Sequence, residues 1–232
     1  MGAPPYSRAV TEPLPLFPLG MVLFPGLVLP LHVFEDRYRV LLRDLLELPE
    51  DDRRFGVVAI REGREVGSDG ITALHEVGCT AQLRRVETYD DGRADVVTVG
   101  ADRFRLTALH DDKPYFTGDV EWLPEVDNDP AEAGLLDPAV RAAFGDYLAA
   151  LAVAGGNELE MPELPAEPLV LSYLVGATML LDLVDRQGLL AEPDCRARLR
   201  RELSLLRREA AFLRVLTAAP APELTRTPIS PN

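Results

Sequence analysis

The 232-residue sequence predicts an α+β fold, a closed or half-closed β-barrel with one early helix followed by a C-terminal helical bundle. Three observations predict it. Residues 13–123 read as short strand-like runs punctuated by Gly-containing turns, and residues 134–217 carry helical apolar periodicity. The acidic, Pro-containing stretch 124–133 separates the two halves. Residues 1–12 and 218–232 are Pro-rich and without pattern, and are expected to be flexible tails.

The barrel half opens with a stretch from Pro13 to Phe34 that holds no Asp, Glu, Lys or Arg. It is not a membrane span, because Pro15, Pro18, Pro25 and Pro30 would each break a helix surrounded by lipid. It predicts instead extended segments at Leu14–Leu19, Met21–Phe24 and Leu27–Val33, buried on both faces. A helix follows from Glu35 to about Leu48, with Tyr38, Leu41, Leu42 and Leu45 on its buried face. Phe55–Ile60 is short and apolar enough for a buried strand. Ser68-Asp69-Gly70 and Asp90-Asp91-Gly92 are hairpin signals, because Gly adopts the positive φ that tight turns need. Alternation in Arg103–Ala108 points Phe104 and Leu106 inward, and it recurs from Phe116 to Trp122.

In the second half, Asp137-Pro138 reads as an N-cap followed by Pro at the first helical position. Val140, Phe144, Tyr147, Leu148 and Leu151 continue that helix to a stop at Gly155-Gly156. Leu169–Leu181 is apolar nearly all round and predicts the central helix of the bundle. A last helix begins near Asp194, with Leu199, Leu203, Leu206, Ala210 and Leu213 on one stripe and seven Arg on its other faces.

Composition narrows the chemistry. The net charge of −14 argues against a chain built around nucleic acid or an anionic membrane. Of 24 basic residues only Lys113 is a lysine, and it lies between Asp112 and Pro114. A phosphate-binding loop needs Gly before its Lys and Ser or Thr after it, so Walker-type hydrolysis is excluded. The neighbouring carboxylates keep Lys113 protonated, which argues against a Ser-Lys dyad. None of the five Ser sits in a G-x-S-x-G elbow. Cys79 beside His75 is the best nucleophile–base pair in the chain, although a small buried thiol reads the same way. His75, Glu76 and Cys79 lack the further His or Cys that a metal site requires. Two Cys without a signal peptide fit a reducing, cytoplasmic setting. Charge is uneven: residues 127–185 are net −10 and residues 186–232 are net +4.

Leu14-Pro15-Leu16-Phe17-Pro18-Leu19, Val22-Leu23-Phe24-Pro25-Gly26 and Leu29-Pro30-Leu31-His32-Val33-Phe34-Glu35-Asp36-Arg37-Tyr38 resemble the opening of the Lon protease N-terminal (substrate-binding) domain family. Phe55-Gly56-Val57-Val58, Glu76–Ala81, Asp91-Gly92-Arg93 and Gly100-Ala101-Asp102-Arg103-Phe104-Arg105-Leu106 follow in the family's order. Leu183–Leu190, Arg198-Leu199 and Leu205–Glu209 resemble its closing helices. The resemblance implies a PUA-like pseudo-barrel, a helical bundle and a role in recognising proteins or peptides. It carries over neither ATPase nor peptidase activity, since the chain is expected to end after this domain. Pro18 and Pro25 end extended segments, Gly26 and Gly100 suit turns, and Phe17, Phe24, Phe34 and Phe104 are expected to fill the barrel.

The expected function is therefore a non-catalytic module that binds unfolded polypeptide or a partner protein, as an adaptor or regulator in protein quality control. No cofactor, metal or membrane is expected. Glu35, Asp36 and Arg37 are the candidate partner contacts, with helix N-terminal electrostatics as their plain alternative. The alternative function is RNA binding through a basic patch of Arg200, Arg201, Arg207 and Arg208, against which the overall charge speaks.

Overall fold

The computed structural model describes residues 13–63, 71–125, 130–156 and 163–218. The expected turn at Ser68-Asp69-Gly70 lies outside them.

The barrel is built from β1 (Leu14–Leu19), β3 (Arg54–Gly63), β5 (Val77–Thr88), β6 (Ala94–His110) and β7 (Thr117–Leu123). Antiparallel neighbours run in the order β1-β7-β6-β5-β3, and a parallel pairing of β1 with β3 closes the ring. β4 (Ile71–Leu74) extends β3, and β2 (Val28–Val33) pairs with the first half of β6 outside the ring. β6 serves two sets of neighbours because it is long. Register shifts between Cys79 and Ala81, Leu83 and Arg85, and Leu106 and Ala108 bend the strands for closure. Gly92, at φ +79°, turns β5 into β6 as the Asp90-Asp91-Gly92 signal predicts.

Strand alternation sorts the barrel residues into two clusters. Leu14, Leu16, Val58 and Phe104 pack inside the ring, joined by Leu106, Phe116, Val120 and Trp122. Phe104 fits because Gly56 and Gly78 face it: a Cβ on either would come within 2.7 or 2.5 Å of its ring. Phe17 and Leu19 point the other way, so β1 is buried on both faces as expected.

β2 is not. Leu29 and Val33 are buried while Val28, Pro30 and His32 face solvent, because among the described residues no second layer covers the outer face of this strand. Met21–Phe24 forms no strand, yet Val22, Leu23 and Phe24 are buried. Of the four phenylalanines expected to fill the barrel, Phe104 does; Phe17 and Phe24 are buried in the other cluster, on the helix side of the strands, and Phe34 is 50% exposed. Gly100 is not a turn residue either. It lies within β6, where a Cβ would meet the Phe24 carbonyl at 2.2 Å.

α1 (Asp36–Leu46) buries Tyr38, Leu41, Leu42 and Leu45, and the Tyr38 ring stacks on Phe17 at 3.8 Å. The helical half comprises α2 (Pro130–Gly155), α3 (Pro168–Thr178), α4 (Leu183–Ala191) and α5 (Cys195–Ala218). α2 begins at Pro130, so Asp137 is not a cap and Pro138 lies within the helix. The Asp137 carboxylate instead takes the Arg141 guanidinium one turn on, at 2.5 and 2.9 Å. The Gly155-Gly156 stop holds, with Gly156 at φ +66°. Asp194 does cap α5, its Oδ1 accepting the Ala197 N–H at 2.8 Å.

α3 is one-sided rather than central: Leu171, Tyr173 and Val175 are buried, whereas Val170 is exposed. The broadest helix–helix contact joins α2 to α5. Phe17, Tyr38 and Leu41 belong to the same apolar cluster as Val140, Phe144, Leu171, Leu189 and Leu206, so the two halves share one core.

Candidate functional site

Closing the barrel gives β6 two buried faces. Phe104 enters the ring, and Arg103, its neighbour, turns toward the helices and is only 3% exposed. Arg103 Nη1 donates to the Leu190 and Glu192 carbonyls at 2.9 and 2.5 Å, satisfying the end of α4. Its Nε lies 2.7 Å from Glu125 Oε1, an ion-pair approach without hydrogen-bond geometry.

Glu125 comes from the segment after β7 and holds a second guanidinium. Arg198 of α5, fully buried, donates from Nη2 to Glu125 Oε2 at 3.2 Å and to the Tyr173 hydroxyl at 3.0 Å. The same guanidinium lies 3.9 Å from the centre of the Tyr173 ring, and the Tyr173 hydroxyl donates to Glu125 Oε1. Burial, reinforced by the bond to Glu125 and opposed by both guanidiniums, pushes the Tyr173 hydroxyl above its ordinary range. One turn beyond Arg198 on α5, Glu202 is fully buried with neither carboxylate oxygen hydrogen-bonded. Burial pushes its carboxyl well above the usual range, partly offset by Arg198.

A cleft of about 370 Å³ opens over Arg103, Glu125 and Tyr173. Its other walls are Pro25, Gly26, Ala101 and Asp102 on one side, and Leu123, Pro124, Leu169 and Val170 on the other. Apolar walls around a few fixed polar groups are what a binding cleft requires. The polar groups of the floor engage one another: the Tyr173 hydroxyl donates to Glu125, and Arg103 is committed to Glu125 and to the Leu190 and Glu192 carbonyls.

Cys79 lies elsewhere, in the wall of the barrel. It is fully buried, its Sγ donates to the Thr80 carbonyl at 3.5 Å, and burial pushes the thiol up to about 12. No hydrogen bond joins it to His75 among the described residues, so the small-buried-thiol reading describes it. Among the described residues, no group of three or more His, Cys, Asp or Glu is placed to hold a metal ion.

The residues picked from the sequence are scattered. Glu35 and Arg37 pair with each other at 3.0 Å, mostly buried, and the Arg37 guanidinium lies 4.4 Å from the centre of the Tyr38 ring. Of these three, Asp36 alone stands fully in solvent, paired with Arg39 at 3.0 Å. The four candidate arginines divide into two flanks of α5. Arg201 pairs with Glu192 and Asp185 at 3.1 and 3.6 Å, and Arg208 with Asp185 and Glu209 at 2.6 and 2.7 Å. Arg200 and Arg207 are exposed on the other flank. Arg198, buried beneath the cleft against Glu125 and Tyr173, belongs to the same run of arginines on α5 as the solvent-facing ones, and helical spacing alone does not set it apart.

The sequence profile of the ATP-dependent protease La (LON) substrate-binding domain matches residues 13–208. The chain belongs to this family. Lon protease of Escherichia coli (strain K12) is 26% identical over 210 residues, which cover 90% of this chain and 26% of that protein. Lon protease 2 of Syntrophobacter fumaroxidans is 29% identical over 195 residues, 83% of this chain and 24% of the relative. The chain thus spans about a quarter of the length of the curated relatives it matches. A Lon N-terminal domain protein from Xanthomonas campestris superimposes with a TM-score of 0.58 at 26% identity, covering 83% of this chain and 98% of that one. The N-terminal domain of Mycobacterium avium complex Lon protease shares the fold at 17% identity, with a TM-score of 0.58 and coverage of 84% and 98%.

The segments that carry the Lon-domain resemblance build the cleft. Pro25-Gly26 and Ala101-Asp102-Arg103 form one wall, joined by Gly26 N–H to the Gly100 carbonyl and Gly100 N–H to the Leu27 carbonyl, both at 2.8 Å. Gly26 sits at φ +80°, which a side chain would strain. Phe34, also a motif residue, lies on a separate surface beside His32, whose Nδ1 is 2.6 Å from Asp95. The Tyr89 hydroxyl donates to the other Asp95 oxygen at 2.6 Å, completing an exposed aromatic cluster.

Proposed function

We propose that the chain is a non-catalytic polypeptide-binding module that takes an extended apolar segment of an unfolded or partner protein into the cleft between barrel and helices. The observation that carries this reading is the cleft itself: its walls are apolar apart from Asp102, the guanidiniums beneath it are paired with Glu125, and Pro25, Gly26 and Ala101–Arg103 of the family's motif segments line it. Apolar side chains of the bound segment lie against Leu169, Val170 and Pro25, and Glu125 and Asp102 supply acceptors for its backbone N–H groups. Such a module serves as a cytoplasmic adaptor or regulator in protein quality control, presenting bound polypeptide to another protein.

Val170→Asp tests the cleft, because Val170 is 47% exposed and the substitution leaves the core intact. Fluorescence anisotropy with a labelled, permanently unfolded apolar polypeptide should show binding by the wild type, and weakening by about tenfold in the variant, with an unchanged Tm. Binding that is absent in the wild type, or unaltered by Val170→Asp, refutes the cleft as the site.

A further inference from the structure

The outward face of α2 is apolar but for Asp146, where a surface helix is normally polar throughout. Leu135, Ala139, Ala142, Asp146, Ala149 and Val153 succeed one another at alternating steps of four and three residues, the spacing of a coiled-coil seam. Leu135 and Val153 are 80% and 69% exposed, and Ala142 and Ala149 between them are exposed as well. The stripe is about 27 Å long at the helical rise. Beside it, a groove of about 330 Å³ runs between α2 and α5, floored by Ala139, Ala143, Leu206 and Ala210. Alanines along the floor allow another helix to approach closely.

One edge of the groove is cationic. Arg207 and Arg214 line it from α5, and Arg200 precedes them at the same seven-residue interval, which puts all three on one helix face. Arg214 has Asp146 at 4.0 Å with both side chains more than half exposed, while Arg200 and Arg207 make no ion pair among the described residues. Arg201 and Arg208, one position round the helix, are already held by Asp185, Glu192 and Glu209.

We propose that the α2–α5 groove docks an amphipathic α-helix of a partner protein, with its apolar seam on Leu135–Val153 and an acidic flank against Arg200, Arg207 and Arg214. Charge complementarity selects that occupant. A second copy of this chain fits less well: a two-fold axis that sets α2 antiparallel to itself leaves both α5 helices on the same side, arginines facing arginines, and one that sets α2 parallel brings Asp146 onto Asp146. RNA would use the arginine edge but gain nothing from the apolar stripe. The groove shares no lining residue with the cleft proposed for polypeptide, so the inference goes beyond that reading. A chain with both surfaces holds a bound segment at one and a folded partner at the other.

The test uses the full chain and two labelled helix-forming peptides, identical but for Glu or Lys along one flank of a Leu seam. In fluorescence anisotropy the Glu peptide should bind saturably and the Lys peptide at least about tenfold more weakly. Arg207→Glu with Arg214→Glu should reverse that order, and Ala142→Arg should abolish binding of the Glu peptide, with Tm unchanged in each. Unfolded-polypeptide binding should survive the charge reversal, and Val170→Asp should leave the Glu peptide bound, so the two sites fail separately. Four results overturn the proposal: no binding of the Glu peptide at millimolar concentration, a peptide preference untouched by charge reversal, displacement of the Glu peptide by a single-stranded RNA oligonucleotide, or sedimentation as a dimer that Ala142→Arg dissociates.

Discussion

The interior of the barrel and the junction beside it are both buried, and they are held together by opposite means. Inside the ring, Phe104 is surrounded by Leu14, Leu16 and Val58, with Gly56 and Gly78 leaving it room. At the junction, two desolvated guanidiniums share the Glu125 carboxylate, with Tyr173 between them and Glu202 behind. Apolar packing is forgiving of direction, whereas charged groups must meet particular partners. The apolar ring therefore makes the barrel compact. The junction sets how the helices sit on it, because β6, the β7–α2 segment, α3, α4 and α5 all contribute atoms.

Breaking the junction should cost most. Glu125→Ala leaves Arg103 and Arg198 buried without their carboxylate and should destabilise by about 3–5 kcal/mol. Chemical denaturation checks this, and a loss below about 1 kcal/mol would mean that water screens the pair.

Overfilling the ring comes next. Gly78→Val places a Cβ 2.5 Å from the Phe104 ring and should cost about 1–3 kcal/mol or more. Gly78→Val combined with Phe104→Leu should recover part of that loss if the clash is the cause, which thermal melts of the two variants decide.

Glu202 sharpens the contrast through pH. Its folded-state carboxyl titrates above the ordinary Glu value, so its contribution to stability is complete below that value and declines as pH rises toward the folded pKa. The slope is at most about 1.4 kcal/mol per pH unit. Glu202→Gln should flatten this decline and stabilise the protein at neutral pH, measured by denaturation at mildly acidic and mildly alkaline pH. An unchanged slope would place the proton on another group. The smallest effect belongs to Asp36→Ala, which loses a solvent-exposed pair with Arg39 and an exposed charge in the first turn of α1, and should change stability by less than about 1 kcal/mol in chemical denaturation.

Much of this architecture was legible in the residue order. The buried face of α1, the Asp90-Asp91-Gly92 turn, the Asp194 cap and the Gly156 stop are local signals, set by side-chain spacing and backbone preference. Phe34 and Asp137 each suit their expected roles locally, yet Phe34 is half exposed and α2 starts seven residues before Asp137. The candidate site was less legible. Alternation pointed Phe104 inward and so turned Arg103 outward, but it carries no information about what covers the outer face of a strand. Helical spacing likewise grouped Arg200 with Arg201 and Arg207 with Arg208, although Asp185 and Glu192, from another helix and its end, take one member of each pair.

By itself, then, the order of residues determined an α+β chain with a barrel followed by helices, the family to which it belongs, and the absence of a Walker motif. Those properties depend on composition, periodicity and near-neighbour motifs. Only the tertiary structure decided that Arg103, Arg198 and Glu202 are buried, that Phe34 is not, and that Arg200, Arg207 and Arg214 edge a groove. Burial of a charged group depends on which partners arrive from elsewhere in the chain, and the closure of the barrel against α3, α4 and α5 is what brings them.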